Sequence, residues 1–423
     1  MNELDSEVMI GTLKRRGLTQ ISDESTADLL IYNTCSIREL AERKVMGKLG
    51  LLGKTSQRNA VIGVTGCMAN NKKELIFQKL PYVDFVLGTN NIHELDLVLD
   101  EVLASGRQSL RTDGRFVHEL DYVSAHRDDK VKAFISIIRG CDKFCTYCVV
   151  PYTRGPEVSR SPDDIVNEVK RLIEQGYKEF TLLGQNVNSF GKDQPERNCL
   201  FHDLLYRLDG LPGMGRIRFM TSHPCDITRE LMEAIRSLKS VCEFVHFPVQ
   251  AGSNRILKKM HRIYTVEEYL EKVAMLRELV PHVALGTDII VGFPTETEEE
   301  FEQTYRLLEE IEYDCTFLFE YSPRKGTPAT RWKDDVPEEV KAHRHHRLLT
   351  LQERLNAKKR QAMMGSLVEV LVEGVTERGE GLVKGRTRCW KNVVFPGTPE
   401  MVRSFQNVQL TGFSHQTLIG SLL

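Results

Sequence analysis

Six apolar strand-like runs alternate with amphipathic helical patterns through the middle of this chain, and no other feature constrains its fold as strongly. The runs cover residues 133–138, 180–183, 217–220, 244–247, 285–291 and 315–319, and the helical stretches include 162–175, 228–238, 265–279 and 297–311. Such regular alternation indicates a parallel sheet covered by helices. Six units predict a partial (β/α)6 barrel, whose chemistry lies at the carboxyl ends of its strands.

Three cysteines with C-x3-C-x2-C spacing follow the first of these strands. Cys141, Cys145 and Cys148 share one short loop, which suits a cubane iron-sulfur cluster with one iron left open for reaction. A tetrahedral zinc site would need a fourth ligand, and no second Cys or His pair follows. Electron-transfer clusters normally have four cysteine ligands, and the next cysteine, Cys199, has no spacing pattern of its own. Zinc and uninvolved thiols remain the alternatives.

Composition places the chain in a broad class. With 423 residues, 41% hydrophobic and 27% charged, it is typical of a globular protein of two or three domains. No apolar run approaches the roughly 18 to 20 residues of a membrane span, and the acidic start is unlike a signal peptide. Ten cysteines are too sparse for a disulfide scaffold. We therefore expect a cytoplasmic protein without membrane contact.

Polar or glycine-rich segments end the other predicted strands. They are Gly184-Gln185-Asn186, Thr221-Ser222-His223-Pro224, the segment from Pro248 through Gln250 to Ser253, and two segments of the fifth strand, Gly286-Thr287-Asp288 and Gly292 to Thr297. Each segment alone is weak evidence for a ligand site, because Gly-Gln-Asn also forms turns and a lone histidine is more often a buried core residue. Their recurrence at consecutive strand ends predicts a ligand site there.

The first 105 residues form a separate α/β pattern with cysteines of its own. Cys35 and Cys67 each follow an apolar strand, residues 81–88 indicate a third strand, and residues 91–104 indicate a closing helix. Thiols at the ends of parallel strands share one edge of a sheet, where ligands of open α/β folds collect. Buried structural cysteines are the alternative.

The last 60 residues change to short β-branched runs at 368–373, 381–386, 392–395 and 408–411. Such runs, separated by Gly and Pro, predict a small antiparallel barrel, a fold that commonly binds nucleic acid. One hairpin alternates cationic and aromatic residues: Arg386, Arg388, Trp390 and Lys391. These side chains would stack on RNA bases or clamp the RNA. A structural role for Trp390 under the barrel is the alternative.

A cationic helix is predicted just before this barrel. Its basic residues between 341 and 360 would neutralise phosphates, or form a merely solvated face. They are Lys341, Arg344, Arg347, Arg354, Lys358, Lys359 and Arg360, with three histidines added. The net charge of −2 means that any nucleic-acid surface must be local.

The whole chain resembles the methylthiotransferase family of radical S-adenosylmethionine (SAM) enzymes. The motifs that carry the resemblance are 33–38, 66–69, 141–148, 246–253, 260–265 and 287–294. The resemblance implies an N-terminal methylthiotransferase domain over 1–105, a radical SAM core over 127–360 and a C-terminal TRAM domain over 362–423. Within the family, Cys148 to Gly155 and Ser159-Arg160-Ser161 look most like the branch that adds a methylthio group to C2 of N6-dimethylallyladenosine beside the anticodon of tRNA.

The resemblance also implies two 4Fe-4S clusters. The core cluster on Cys141, Cys145 and Cys148 would cleave SAM to a 5′-deoxyadenosyl radical, which removes hydrogen from C2 of the adenine. An auxiliary cluster, held by Cys35, Cys67 and a third cysteine missing here, would carry the sulfur. Residues implied to bind SAM are Tyr147, Gly184, Gln185, Asn186, Ser222, His223, Gln250, Arg262 and Asp288.

Implied partners are tRNA, an electron donor such as flavodoxin or ferredoxin, and a sulfur donor, with the protein a monomer. The family's first strand ends in Gly-Cys-Gln-Met-Asn, and Met1-Asn2 matches only the residues after that cysteine, so we expect a misplaced start, a truncated gene or a variant ligand. Ala251, His261, Ile263 and Thr295 are smaller departures.

Three other functions stay open: a non-enzymatic tRNA-binding iron-sulfur protein, an iron-sulfur electron carrier, and a methylthiotransferase acting on a ribosomal-protein aspartate or on threonylcarbamoyl-adenosine in tRNA. The first would have no need of the intact three-cysteine spacing, and the second would not cleave SAM.

Overall fold

The structure, a computed structural model, describes residues 1–34, 39–52, 60–114, 125–127, 129–377, 379 and 381–423, with only the backbone of 39–41. The chain divides into two compact units. The first comprises Met1–Asp128, Arg139–Phe144 and Cys148–Arg160; the second comprises Asp129–Ile138, Cys145–Tyr147 and Ser161–Leu423. Within the described ranges, no helix combines the length and the apolar character that a membrane crossing requires.

The N-terminal segment is an open α/β sheet, as its pattern predicts. Its elements are α1 (Asn2–Arg15), β1 (Leu29–Thr34), α2 (Glu39–Leu52), β2 (Val61–Gly66), α3 (Cys67–Lys72), α4 (Leu75–Lys79), β3 (Phe85–Leu87), α5 (Leu95–Ser105) and β4 (Ser109–Arg111). The four strands are parallel in the order β1-β2-β3-β4. Leu30, Ile62, Val64 and Val86 form the core of this sheet. The short edge strand β4 follows the predicted elements and was not anticipated by them.

The middle of the chain contains the six predicted parallel strands. In chain order its elements are β5 (Lys132–Ser136), β6 (Ile138–Arg139), α6 (Val150–Arg154), β7 (Val158–Ser159), α7 (Pro162–Glu174), β8 (Glu179–Leu183), α8 (Phe201–Asp209), β9 (Arg216–Phe219), α9 (Arg229–Ser237), β10 (Phe244–His246), α10 (Asn254–Lys259), α11 (Val266–Leu279), β11 (Ala284–Val291), α12 (Glu298–Ile311), β12 (Cys315–Glu320) and α13 (Glu338–Ala362). The strands form two parallel three-stranded sheets, β5-β8-β9 and β10-β11-β12. A parallel bridge between Ile217 and Val241 extends the pairing from β9 toward β10.

Threonine caps explain where three of the covering helices begin. The side chains of Thr228, Thr265 and Thr297 accept hydrogen bonds from backbone N–H groups in the first turns of α9, α11 and α12. For α11 and α12, a glutamate in the first turn bonds back to the cap residue, which completes a capping box. The helices cover an apolar core that contains Ile135, Phe180, Ile217, Val245 and Ile289.

The last segment is a closed five-stranded barrel. Its strands are β13 (Leu367–Val375), β14 (Leu382–Thr387), β15 (Asn392–Pro396), β16 (Phe405–Ser414) and β17 (Thr417–Leu422), in the order β13-β14-β15-β17-β16. Four of them were predicted, and β17 was missed. One pair, β15 with β17, is parallel, so the barrel is not purely antiparallel.

Candidate functional site

The middle of the cysteine loop is anchored to the C-terminal end of α10. The Thr146 N–H donates to the Met260 carbonyl at 3.0 Å, and Thr146 Oγ1 donates to the Lys259 carbonyl at 2.8 Å. Cys145 is buried, whereas Cys141 and Cys148 are half-buried. Phe144 has a φ of +47°, a left-handed conformation that is strained for a side chain other than glycine. Such backbone strain is concentrated at functional sites.

Arg262 lies against Cys145. Its Nη1 is 3.4 Å from Cys145 Sγ, its Nη2 donates to the Pro248 carbonyl at 2.9 Å, and its Nε donates to Tyr264 Oη at 2.8 Å. Burial acts to lower the pKa of Arg262, but the neighbouring Tyr264, Tyr147 and Cys145 raise it well above its usual value. A charged guanidinium is thereby placed as a hydrogen-bond donor toward the Cys145 sulfur.

Tyr264 joins this arginine to a predicted strand-end residue. The rings of Tyr264 and His223 meet edge to face, with centroids 5.8 Å apart. Burial raises the pKa of Tyr264 to about 12, so its hydroxyl stays protonated and donates to the Val249 carbonyl at 2.9 Å. A continuous series of contacts therefore runs from His223 to Cys145. No role was predicted for Tyr264 from the sequence, where its place two residues after Arg262 was the available signal.

Gly184 occupies a position that no other residue fits. A Cβ atom there would lie 2.4 Å from Ile138 Cγ2. Thr221 Oγ1 donates to the Gly184 carbonyl at 2.6 Å, which joins the ends of β8 and β9. Asn186 is buried and its Nδ2 donates to Asp226 Oδ2 at 2.7 Å, whereas Gln185 is half-buried. The backbone at the end of β8 is therefore closely packed.

Gln250 and Asp288 meet at the end of β10. Gln250 has a φ of +74°; its N–H donates to the Asp288 carbonyl at 2.9 Å, and its carbonyl accepts from Ile290 N–H at 3.0 Å. Asp288 Oδ1 lies 3.2 Å from His246 Nε2, and His246 is only 3% exposed. His246 is a second contact residue for which no role was predicted from the sequence.

Three side chains at or just after the strand ends carry buried polar atoms that have no hydrogen-bond partner among the described residues. These atoms are Asn186 Oδ1, Ser222 Oγ and His246 Nδ1. Each such atom costs free energy unless a ligand or water satisfies it. All three follow or end parallel strands of the same unit, where ligands of such folds bind. They therefore fit a polar ligand such as SAM.

No three Cys, His, Asp or Glu side chains within the described ranges stand in an arrangement that would hold a metal ion. The chemistry of the loop nevertheless fits an iron-sulfur cluster. Arg262 faces the Cys145 sulfur, and the Val150 N–H points to Cys148 Sγ at 3.5 Å. Such N–H groups stabilise sulfur ligands of clusters.

Cys67 lies at the start of α3 and is buried. The preceding Gly66 has a φ of +90°, and a Cβ there would lie 2.3 Å from the Thr34 carbonyl, so β1 and β2 approach closely just before the cysteine. Cys35, the other predicted auxiliary ligand, lies outside the described residues. The pairing of these two cysteines in one site therefore stays a prediction.

The predicted basic helix exists, but carboxylates of its own unit surround it. Lys341 contacts Asp334 and Glu338, Arg344 contacts Glu296 and Glu298, Arg347 contacts Glu298 and Glu302, Arg354 contacts Glu309, Lys358 contacts Glu312, and Lys359 contacts Asp314. Lys341 and Arg344 are buried. These ion pairs favour the alternative of a solvated face, and phosphate binding by this helix stays a prediction.

The barrel hairpin is also engaged internally. The Trp390 ring packs on Phe244, with centroids 5.5 Å apart, and the Arg218 guanidinium lies 4.9 Å from its centre. Arg388 donates to Glu243 at 2.7 Å, and Lys391 donates to Asp314 at 2.9 Å. The structure therefore favours the structural interpretation of Trp390 over RNA stacking.

Comparison with protein families gives two matches. Residues 135–308 match the Radical SAM superfamily, and residues 1–88 match a family described as Uncharacterized protein family UPF0004. A solved structure of a radical S-adenosylmethionine methyltransferase, TsrM from Kitasatospora setae, superposes with a TM-score of 0.57 at 14% identity, over 90% of this chain and 77% of that one. At that identity the likeness concerns the fold alone. Fold and cysteine loop together define a radical SAM enzyme.

Curated relatives are similar over the whole chain. A tRNA-2-methylthio-N(6)-dimethylallyladenosine synthase of Protochlamydia amoebophila is 71% identical over 422 residues, which are 100% of this chain and 94% of the relative. Proteins of the same name from Clostridium botulinum (strain Langeland) and Thermoanaerobacter pseudethanolicus are 47% and 45% identical, over 99% and 100% of this chain and 94% and 90% of theirs. The chain belongs to the tRNA-2-methylthio-N(6)-dimethylallyladenosine synthase family. Its superfamily membership implies a 4Fe-4S cluster and SAM as cofactors.

Proposed function

We propose that this protein adds a methylthio group to C2 of N6-dimethylallyladenosine beside the anticodon of tRNA. The observation that carries the proposal is the 71% identity with a synthase of that name over the whole chain. The contact between Arg262 and Cys145 supports it, because it equips the predicted cysteine loop for metal chemistry. A C–H bond on an aromatic ring is not acidic enough for a side-chain base, so a cofactor is required.

Cys141, Cys145 and Cys148 are the proposed ligands of the core cluster. When bound and reduced, this cluster supplies the electron that cleaves SAM to the 5′-deoxyadenosyl radical. Arg262 directs its Nη1 at the Cys145 sulfur, and Tyr264 accepts a hydrogen bond from the Nε of the same arginine. Tyr147 packs against the main apolar core beside them, which supports the loop.

The strand ends are the proposed SAM site. Gly184 packs closely against Ile138 at the end of β8. Asn186 and Ser222 offer buried polar atoms that lack partners among the described residues. Asp288 is part-exposed and stays oriented through His246, so it suits a hydroxyl or amine of the ligand. Gln185, His223 and Gln250 complete the proposed set.

An auxiliary 4Fe-4S cluster held by Cys67, Cys35 and a third ligand is also proposed, as the carrier of the transferred sulfur. The buried position of Cys67 beside a close approach of β1 and β2 supports a sheltered thiol there. We further propose the three-domain division at residues 1–105, 127–360 and 362–423, action as a monomer in the cytoplasm, and dependence on separate electron and sulfur donors.

Nucleoside analysis of tRNA from a strain that lacks this gene tests the proposal. The 2-methylthio form of dimethylallyladenosine should disappear from the hydrolysate, and the nucleoside without the methylthio group should accumulate. Reintroducing the gene should restore the 2-methylthio form. The threonylcarbamoyl derivative and ribosomal protein mass serve as internal controls. Loss of a methylthio group from either of those, with the dimethylallyl nucleoside unaffected, would favour the corresponding alternative.

A further inference from the structure

A buried carboxylate joins the segments that follow β8 and β9 in the second unit. Asp226 lies after β9, is 5% exposed and accepts hydrogen bonds from the segment after β8. Lys192 Nζ donates to Asp226 Oδ1 at 2.6 Å. Asn186 Nδ2 and Ser189 Oγ donate to Asp226 Oδ2 at 2.7 and 3.1 Å. Both oxygens of the carboxylate are therefore engaged by one segment.

This carboxylate fixes the orientation of the Asn186 amide. A carboxylate paired with a lysine ammonium accepts hydrogen bonds and cannot donate them, so the NH2 group of the amide has to face Asp226. The second hydrogen of that NH2 group has Ser189 Oγ as its acceptor, 2.6 Å from Nδ2. The amide oxygen, Oδ1, is consequently directed away from Asp226.

Asn186 Oδ1 is an acceptor that still needs a donor. Asn186 is 2% exposed, and its Oδ1 is buried with no hydrogen-bond partner among the described residues. A buried acceptor in this state costs free energy until a donor reaches it. The residue follows β8, at the strand ends proposed to bind SAM. SAM has donors of the required kind, because its amino group and its ribose hydroxyl groups carry N–H and O–H.

The backbone around the amide is held by bonds that do not involve Asp226. The Val187 N–H donates to the Thr221 carbonyl at 3.0 Å. Asn188 Nδ2 donates to the His223 carbonyl at 3.0 Å, and the His223 N–H donates to Asn188 Oδ1 at 2.9 Å. A substitution at position 226 therefore leaves the two segments paired and acts on the orientation of the amide.

We propose that Asp226 is a positioning residue for SAM, holding the Asn186 amide so that its Oδ1 accepts a hydrogen bond from an N–H or O–H group of that ligand. The inference rests on the proposed function, because it takes the strand ends as the SAM site. Asp226 needs no contact with SAM for this role. It excludes the flipped amide, which would present N–H groups to the donors of the ligand.

Replacing Asp226 by Asn should reverse the amide. Lys192 retains an oxygen of the new side chain, so the NH2 group of that side chain takes the place of Oδ2 and faces Asn186. Asn186 then has to turn its own NH2 group toward the ligand. S-adenosylhomocysteine should bind to the reconstituted Asp226→Asn protein roughly 10- to 100-fold more weakly than to wild type, because buried donors then face each other. Anaerobic isothermal titration measures this affinity.

The exchanged pair is the decisive variant. When Asn186→Asp is combined with Asp226→Asn, the carboxylate at position 186 accepts from the new amide with one oxygen and offers the other to the ligand, so the affinity should recover. Asp209→Asn is the matched control and should leave the affinity unchanged, because Asp209 accepts from Ser240 instead. In 5′-deoxyadenosine formation, Asp226→Asn should raise the KM for SAM and leave kcat unchanged, as expected for lost binding alone.

A second ligand identifies the donor group. 5′-Methylthioadenosine lacks the amino-acid part of SAM, so equal weakening for both ligands assigns the donor to the nucleoside. Weakening for S-adenosylhomocysteine alone assigns it to the amino group.

The outcomes separate the claims. Wild-type affinity in a folded Asp226→Asn protein, or no recovery in a folded exchanged pair, would contradict the role of Asp226 alone. Unchanged affinity after Asn186→Ala would contradict Asn186 as part of the SAM site, and the role of Asp226 with it. None of these results depends on which nucleoside the enzyme modifies, so the proposed reaction on tRNA is tested separately.

Discussion

Arg262 Nη1 lies 3.4 Å from Cys145 Sγ, and the remaining nitrogens of this guanidinium bond to Tyr264 and to the Pro248 carbonyl. The arginine therefore connects the cysteine loop with the end of β10 in a buried position. Its partners leave it little freedom, so its charge is directed at the sulfur. A charged donor of this kind contributes about 1.5 to 3 kcal/mol.

Replacing Arg262 by Gln should therefore weaken both cluster retention and SAM cleavage. We expect the rate of 5′-deoxyadenosine formation to fall by roughly 10- to 100-fold, which corresponds to that range of free energy. The measurement is the rate per bound core cluster in anaerobic assays. Arg255→Gln is the matched control, because Arg255 bonds to Glu300 and Thr295 and, within the described ranges, not to the cysteine loop. Equal rates for Arg262→Gln and wild type would show that the contact has no part in the chemistry.

Glu296 should make stability depend on pH. Burial raises the pKa of this carboxyl group from 4.5 to about 7, while the Gly292 N–H and Arg344 oppose the shift. Because the folded pKa lies above the unfolded value, the folded chain binds more protons between these limits. The resulting stabilisation is complete below about pH 4.5 and is lost as pH rises through about 7.

Glu296→Gln should lack this dependence. The difference in unfolding free energy between wild type and variant should fall by up to roughly 3 kcal/mol from pH 4.5 to pH 8. Urea unfolding at several pH values measures it. Parallel stability profiles for the two proteins would contradict the assigned titration.

Charge reversals in α13 separate ion pairing from RNA contact. Lys359 is 23% exposed and bonds to Asp314, which also holds Lys391, whereas Lys358 is 67% exposed. Lys359→Glu should lower the unfolding free energy by about 2 kcal/mol without RNA, since it places like charges together. Lys358→Glu should cost less than about 1 kcal/mol.

The same variants address tRNA binding. If Lys358 contacts a phosphate in spite of its pairing with Glu312, its reversal should lower the slope of log affinity against log salt by roughly 0.7 to 0.9. SAM cleavage without tRNA should be unaffected. An unchanged slope would assign this residue to a solvated, ion-paired face.

The fold was largely predictable because its signals are local. The caps at Thr228, Thr265 and Thr297 precede three of the predicted helices. All six core strands appear within one or two residues of their apolar runs. The edge strand β4, which has only three residues, and the last strand β17, which Gly420 interrupts, were missed, and each is stabilised by pairing with neighbouring strands.

Residue roles that depend on distant partners could not be predicted in the same way. The sequence of the hairpin around Trp390 fits RNA binding, but its partners Arg218 and Phe244 lie far earlier in the chain. The cations of α13 likewise find carboxylates on the preceding helix α12. The charge and aromatic content of a segment therefore indicate an exposed binding surface only when the residues that pack against that segment are known.

The most direct test of the account is SAM cleavage by the cysteine loop. Anaerobically reconstituted and reduced wild-type protein should convert SAM to 5′-deoxyadenosine, and Cys145→Ala should abolish the product, because two thiolates cannot hold the cubane firmly. Cys199→Ala should retain it, since Cys199 has no place in the motif. Undiminished 5′-deoxyadenosine from the Cys145→Ala protein would contradict the assignment of the core cluster and the chemistry that depends on it.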